Sequence, residues 1–237
     1  MDLTYLEFHL LFLLPVLSLL SVSLLARRVE RPRLNLAGLA VIVVLALLYT
    51  TPWDNYLIAQ GVWAYGEGRV AGRLWLAPAG EYLFILLQPV AAAFWLFHLP
   101  TPTVEVGMNG RDRLVGLAAG GLVTAVGVAL LASESTFYLG AILGWGGPVL
   151  ALQWAVGWRY LVAVRRHVTL AVGVPTLYLW VADWVAIQQG VWVISGRYTT
   201  GLGLFGLPVE EMTFFLTTNL FVVQGLVLLP WVVRRWR

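Results

Sequence analysis

The sequence predicts an all-α membrane protein. Seven transmembrane helices are expected as two parallel three-helix repeats joined by a linker helix (3+1+3), N-terminus outside and C-terminus cytoplasmic. Three observations predict this. Of 237 residues, 60% are hydrophobic and only 11% charged, with mean hydropathy +0.82; soluble domains carry roughly 25% charged residues. Uncharged stretches recur at spanning length. One pattern of polar and aromatic residues occurs twice.

In order, the uncharged stretches are Leu10–Ala26, Leu34–Thr51, Tyr82–Phe97, Leu114–Ala132, Thr136–Trp158, Val168–Ala182 and Met212–Val233. Each approaches or exceeds the roughly 20 residues that cross a bilayer as a helix. The sixth extends to Val193 through a single acid. Only helices or closed barrels satisfy backbone polar groups in lipid, and these runs lack the alternation of barrel strands.

Orientation is read from arginine, because the chain has no lysine. Arg27, Arg28, Arg31 and Arg33 follow the first stretch, and Arg111 and Arg113 precede the fourth. Arg159, Arg165 and Arg166 follow the fifth, and Arg234, Arg235 and Arg237 come last. Only Arg69, Arg73 and Arg197 fall on the other side, so the larger set is expected in the cytoplasm. This asymmetry accounts for the formal charge of +3, and no nucleic-acid partner is expected. The opening MDLTYLEFH is acidic where a signal peptide is positive, so the first stretch is expected to remain a span. With no cysteine, disulfides and thiolate chemistry are excluded.

Asp54–Trp63, DNYLIAQGVW, returns as Asp183–Trp192, DWVAIQQGVW; PAGEYLF at Pro78–Phe84 answers PVEEMTF at Pro208–Phe214. The shared pattern is D-x5-Q-G-V-W, a loop, then P-x-x-E-x-x-F. Three helices per unit is an odd number, so a fourth, bland helix is needed to make the units parallel. The expected divisions are 1–99 for the first repeat, 100–133 for the inner loop and linker helix, and 134–237 for the second repeat. Repeat interfaces tend to hold sites.

Of 12 acids, Asp2, Glu7, Glu30, Glu67, Glu105, Asp112 and Glu134 lie in tails, loops or beside arginines. Five remain, all from the duplicated motif: Asp54, Glu81, Asp183, Glu210 and Glu211. Pro78 and Pro208 suit the first turns of the third and seventh helices. There Glu211, Phe214, Phe215 and Thr218 share one face, as do Glu81, Phe84, Ile85 and Gln88. Gln60 with Trp63 and Gln189 with Trp192 form i, i+3 pairs that would line the facing helix. Burial in hydrocarbon favours the neutral acid over the anion, so a carboxyl above an aromatic wall is expected to have a proton to give. Adjacent residues project about 100° apart, so Glu210 is expected to tune or orient Glu211. Trp53, Trp180 and Trp184 lie near the motif, whereas Trp75, Trp231 and Trp236 suit interface anchors. His9, His98 and His167 are too dispersed to form a metal site.

TTPWDNY (Thr50–Tyr56), VWAYGEGRV (Val62–Val70) and LPVEEMTFFLTTNL (Leu207–Leu220) resemble the integral-membrane, non-flavin lycopene cyclases of archaea and bacteria. The same domain is fused to phytoene synthase in fungi, and in some bacteria its halves are separate subunits. The resemblance spans nearly the whole chain. It implies a multi-pass enzyme of the cell membrane that takes lycopene from the bilayer beside membrane lipid and upstream carotenoid enzymes. Its reaction would run through γ-carotene to β-carotene with no cofactor. The roles implied are Glu211 as general acid, Asp183 or Glu210 as base or tuner, and Phe214, Phe215 and Trp192 as walls. Asp54 and Glu81 complete the catalytic candidates; Gln189, Phe84, Trp63, Gln60 and Trp53 complete the substrate-binding ones. In one departure, Ala79–Gly80–Glu81 keeps a single glutamate where the family's first repeat carries two.

The alternative is a 3+1+3 transporter of small solutes or protons, although the Pro-Gln signature of SWEET-type carriers is missing. A retinal pigment needs a lysine, and a prenyltransferase needs aspartate-rich diphosphate motifs. Neither requirement is met.

Overall fold

The computed structural model describes residues 3–27, 33–102 and 104–235. Asp2, Arg28, Glu30, Arg31, Trp236 and Arg237 lie outside them. Among the described residues, seven helices are long and apolar enough to cross a membrane. They are α1 (Tyr5–Ala26), α2 (Arg33–Gln60), α3 (Ala79–His98), α4 (Gly110–Leu130), α5 (Phe137–Ala163), α6 (Arg165–Gln188) and α7 (Val209–Arg235).

Polar residues outside the apolar stretches extend several helices beyond their expected bounds. A capping box starts α1 early: Thr4 Oγ1 accepts from the Glu7 N–H, and Glu7 Oε2 accepts from the Thr4 N–H at 2.8 Å. Asn109 and Asp112 cap α4 in the same way. At the other side of the sequence, α2 runs past Thr51 through Pro52 to Gln60, which places Asp54 on a helix. Prolines within spanning helices are tolerated because neighbours satisfy the freed backbone groups.

Short strands connect the helices at one end of the bundle: β1 (Trp63–Tyr65), β2 (Arg73–Leu74), β3 (Ala77–Pro78), β4 (Trp192–Ile194), β5 (Gly203–Leu204) and β6 (Leu207–Pro208). β2 with β3 and β5 with β6 form tight hairpins, and β1 pairs antiparallel with β4. The register sets Trp63 against Ile194, Ala64 against Val193 and Tyr65 against Trp192. Asn55 Oδ1 holds the first hairpin by accepting from the Leu76 and Ala77 N–H groups at 2.8 and 3.0 Å. Trp184 Nε1 holds the second by donating to the Phe205 carbonyl at 2.9 Å.

α7 is the hub, packing on α2, α3, α5 and α6, while α3 also touches α1. Inside, Gln88 Nε2 donates to Asn219 Oδ1 (2.7 Å), and Asn219 Nδ2 donates to Thr176 Oγ1 (3.0 Å), linking α3, α7 and α6. The largest apolar cluster lies toward the end remote from the strands, around Phe97, Tyr160, Leu226 and Trp231.

α4, expected as a linker, packs most closely on α5. Small residues let the two backbones approach: a Cβ built at Gly120 would lie 2.2 Å from the Ala151 Cα. Gly120→Leu is therefore expected to lower the thermal unfolding midpoint in detergent, on the overpacking scale of about 1–3 kcal/mol. An unchanged midpoint would contradict this packing.

Candidate active site

The repeated Q-G-V-W is a helix stop. At the end of α2, Gly61 takes φ +74, its N–H donates to the Ile58 carbonyl, and the Val62 N–H donates to the Leu57 carbonyl, each at 3.0 Å. α6 ends identically: Gly190 has φ +66 and bonds Ile187, and Val191 bonds Ala186. These are Schellman pairs, which need a residue at ease with positive φ. The turn throws Trp63 and Trp192 onto β1 and β4. There they are buried and line a cavity. Gln60 and Gln189 stay at the exposed helix ends and do not line it. The expected i, i+3 helical pairing of Gln60 with Trp63 and Gln189 with Trp192 is thus corrected, because the helix has already ended.

The cavity, of about 50 Å³, gathers Asp54 from α2, Glu81 from α3, Asp183 from α6 and Glu211 from α7. Phe84, Phe214, Phe215, Trp63, Trp192, Tyr5, Tyr138 and Ile194 complete its lining. Three of these residues are buried, Asp54 and Glu211 each 5% exposed and Asp183 1%, and Glu81 is half-buried. Among the described residues no arginine lines the cavity. Pro78 and Pro208 end β3 and β6 just before the helices, so Glu81 and Glu211 fall in the first turns of α3 and α7.

Each glutamate accepts a hydrogen bond from a tyrosine. Tyr138 Oη donates to Glu211 Oε1 and Tyr65 Oη donates to Glu81 Oε1, both at 2.7 Å. Tyr5 also interacts with the Glu81 carboxyl. Trp192 Nε1 donates to Asp183 Oδ1 at 2.9 Å, whereas Trp63 Nε1 donates to the Tyr65 hydroxyl at 3.1 Å. Asp54 Oδ2 and Asp183 Oδ2 have no partner. Burial, reinforced by the Glu81 and Asp54 carboxyls, pushes the Tyr65 phenol far above its ordinary pKa, so it keeps its proton as a donor.

Glu210 is fully buried but lies outside this cavity; its Oε1 accepts from the Thr200 N–H at 2.7 Å and ties the second loop to α7. That corrects the expectation of Glu210 as a base, because its side chain points to the loop. Gly80 holds the matching place in α3. A Cβ there would meet the Tyr5 ring at 2.5 Å, so the missing glutamate of the first repeat leaves room for that ring. Trp53 lies outside the cavity as well. It stacks on Phe214 with centroids 5.8 Å apart and on Trp145 at 4.6 Å. Trp180 donates to the Met212 carbonyl at 3.0 Å.

A second space of about 380 Å³ runs beside the cavity between α2, α3, α5 and α7. Its walls include Leu45, Ala46, Tyr49, Trp145, Leu152 and Phe221, and Phe84 and Phe214 line both spaces. An apolar groove thus abuts the carboxyls across two aromatic rings. Sequence reasoning missed Tyr5, Tyr65, Tyr138, Ile194 and Trp145. Tyr5 is the first residue of α1 and Tyr138 the second of α5, each directly before a leucine, a pattern too common to single them out. Among the described residues no cluster of three or more His, Cys, Asp or Glu side chains is arranged to hold a metal ion.

No family model and no solved structure matches the chain. It is 53% identical over 213 residues to a lycopene beta-cyclase of Halobacterium salinarum, covering 90% of each chain. It is also 30% identical over 244 residues to a bifunctional lycopene cyclase/phytoene synthase of Aspergillus oryzae, covering 98% of this chain and 40% of that one. A protein of the same description from Arthroderma gypseum is 32% identical over 251 residues, covering 95% of this chain and 41% of its own. At 53% identity over 90% of its length to a lycopene beta-cyclase, the chain belongs to the lycopene beta-cyclase family.

Proposed function

We propose that this chain cyclises the linear ends of lycopene to β-ionone rings, through γ-carotene to β-carotene, by acid-initiated carbocation chemistry inside the membrane. The observation that carries the mechanism is the confinement of four carboxyls, three of them on buried residues, and a set of aromatic rings to one cavity beside an apolar groove. Glu211 gives a proton to the terminal double bond. The neighbouring alkene then attacks the resulting cation and closes the ring by a new carbon–carbon bond. A second cavity carboxyl takes a proton from the ring carbon beside the cation, which restores a double bond. One proton enters and one leaves, so substrate and product are isomers and no redox partner is consumed.

The rings around the carboxyls suit this chemistry. A cation over an aromatic face gains about 2 kcal/mol when desolvated, and Phe84, Phe214, Phe215, Trp63 and Trp192 all line the cavity. The polyene, with no polar group to grip, is held by the groove and reaches it from the bilayer. Family membership favours cyclisation over the transporter alternative.

The 3+1+3 arrangement, with divisions at 1–99, 100–133 and 134–237, belongs to the same proposal. It is supported by the self-matching register of β1 and β4, centred on the repeat-equivalent Ala64 and Val193, and by the two identical helix stops. Tyr49 Oη donates to the Trp145 carbonyl and Tyr178 Oη to that of Phe12, a further matching pair. Arg111, Arg113, Arg159, Arg165, Arg166 and Arg234 sit at helix ends remote from the cavity. That supports a multi-pass protein of the cell membrane with the carboxyls toward the outer side.

Expression in a lycopene-accumulating bacterium tests the reading. β- or γ-carotene among the extracted pigments is expected. Unchanged lycopene beside a folded, membrane-inserted protein would refute it.

A further inference from the structure

The two repeats bring matching residues to the cavity, but one place does not match. Tyr65 on β1 corresponds to Ile194 on β4, at the same distance after the Trp of each motif. The exchange rewires the hydrogen bonds. In the second repeat, the Trp192 indole donates directly to Asp183. In the first, the Trp63 indole donates to the Tyr65 hydroxyl, which donates in turn to Glu81. Glu81 therefore ends a chain of two donors and also meets Tyr5. Among the described residues Glu211 accepts from Tyr138 alone, and Ile194 offers the cavity an alkyl surface with no donor.

Hydrogen bonds to a charged acceptor are about twice as strong as neutral ones, and successive donors polarise one another. Two carboxyls in one cavity are thereby made unequal: a negative charge is better accommodated at Glu81 than at Glu211. Resting on the cyclase reading above, we propose that Tyr65 is the positioning residue that fixes Glu81 as the proton acceptor of ring closure. Ile194, in the matching place, leaves Glu211 as the donor. The proton that Glu211 gives forms a C–H bond at the chain terminus. The C–H bond broken beside the ring cation passes its proton to Glu81, and the electron pair becomes the ring double bond. Exchange with water then resets both carboxyls.

The test compares wild-type protein with Tyr65→Phe in lipid vesicles, using lycopene with and without deuterium at the hydrogen lost on ring closure. Tyr65→Phe is expected to lower kcat by about 10²-fold with KM unchanged. The isotope effect from the labelled substrate is expected to rise, because proton removal becomes the slow step, while the solvent isotope effect falls. A kcat equal to wild type, a loss confined to KM, or a rise in the solvent effect instead would overturn the assignment. Ile194→Tyr gives a second reading should Tyr65→Phe fail to fold: a phenol offered to the donor side should slow proton donation and raise the solvent isotope effect. A solvent isotope effect left at the wild-type value would count against the proposal. Wild-type protein that forms rings separates failure of this inference from failure of the cyclase reading.

Discussion

Replacing Glu211 by glutamine is expected to end ring formation while the protein still folds. The amide has the shape of the carboxyl, and its oxygen can still accept from the Tyr138 hydroxyl that now sits at 2.7 Å. Packing around α7 should therefore persist. What disappears is an acid strong enough to protonate an alkene, and general acids contribute about 10²–10⁴ in rate. A loss at the upper end is expected, since an amide has no acidic proton to give. Pigment analysis and turnover in vesicles read the activity, and the thermal midpoint in detergent reads the fold. Wild-type turnover in Glu211→Gln would remove Glu211 from the donor's role while leaving the family assignment intact.

Filling the groove should be nearly as damaging for a different reason. Ala46 lies on its wall, among Leu45, Tyr49, Trp145 and Leu152. Ala46→Trp places an indole where the polyene would lie, without touching any cavity carboxyl. An account in which the substrate is held only by apolar contact predicts a large loss of binding, since each buried methylene is worth about 0.8 kcal/mol. Displacing several from the groove costs a factor of about 10² or more. The loss should appear in KM first, which distinguishes it from Glu211→Gln, where kcat falls. Ala46→Trp with unaltered KM would mean that the polyene takes another route.

Much of this site was legible in the sequence because its parts are of a kind that lipid does not tolerate casually. Asp54, Glu81, Asp183 and Glu211 stood out as acids inside apolar runs, and the structure brings all four to one cavity. Phe84, Phe214, Trp63 and Trp192 were found by repetition and Phe215 by its helical spacing from Glu211, and all line the same space. What failed was the geometry between helices. Gln60 and Gln189 satisfy a helical spacing, but the following glycines end the helix, and a turn at positive φ decides where the next side chain goes. Glu210 differs from Glu211 by one position and faces a loop amide. The tyrosines were invisible for another reason. Tyr5 and Tyr138 are ordinary residues for a helix near a membrane interface, and only the fold brings them to the glutamates. The tight seam between α4 and α5 was hidden too, because a glycine-rich helix reads as featureless until its neighbour is known.

The β1–β4 ribbon has one more consequence. Trp63, Trp192 and Ile194 roof the carboxyls with carbon, and on the proposed mechanism a tertiary carbocation beneath them would be quenched by the first water molecule to arrive. The fidelity of the enzyme is therefore a matter of waterproofing: a breached roof would announce itself as hydroxylated carotenoids, tertiary alcohols in place of closed-ring alkenes.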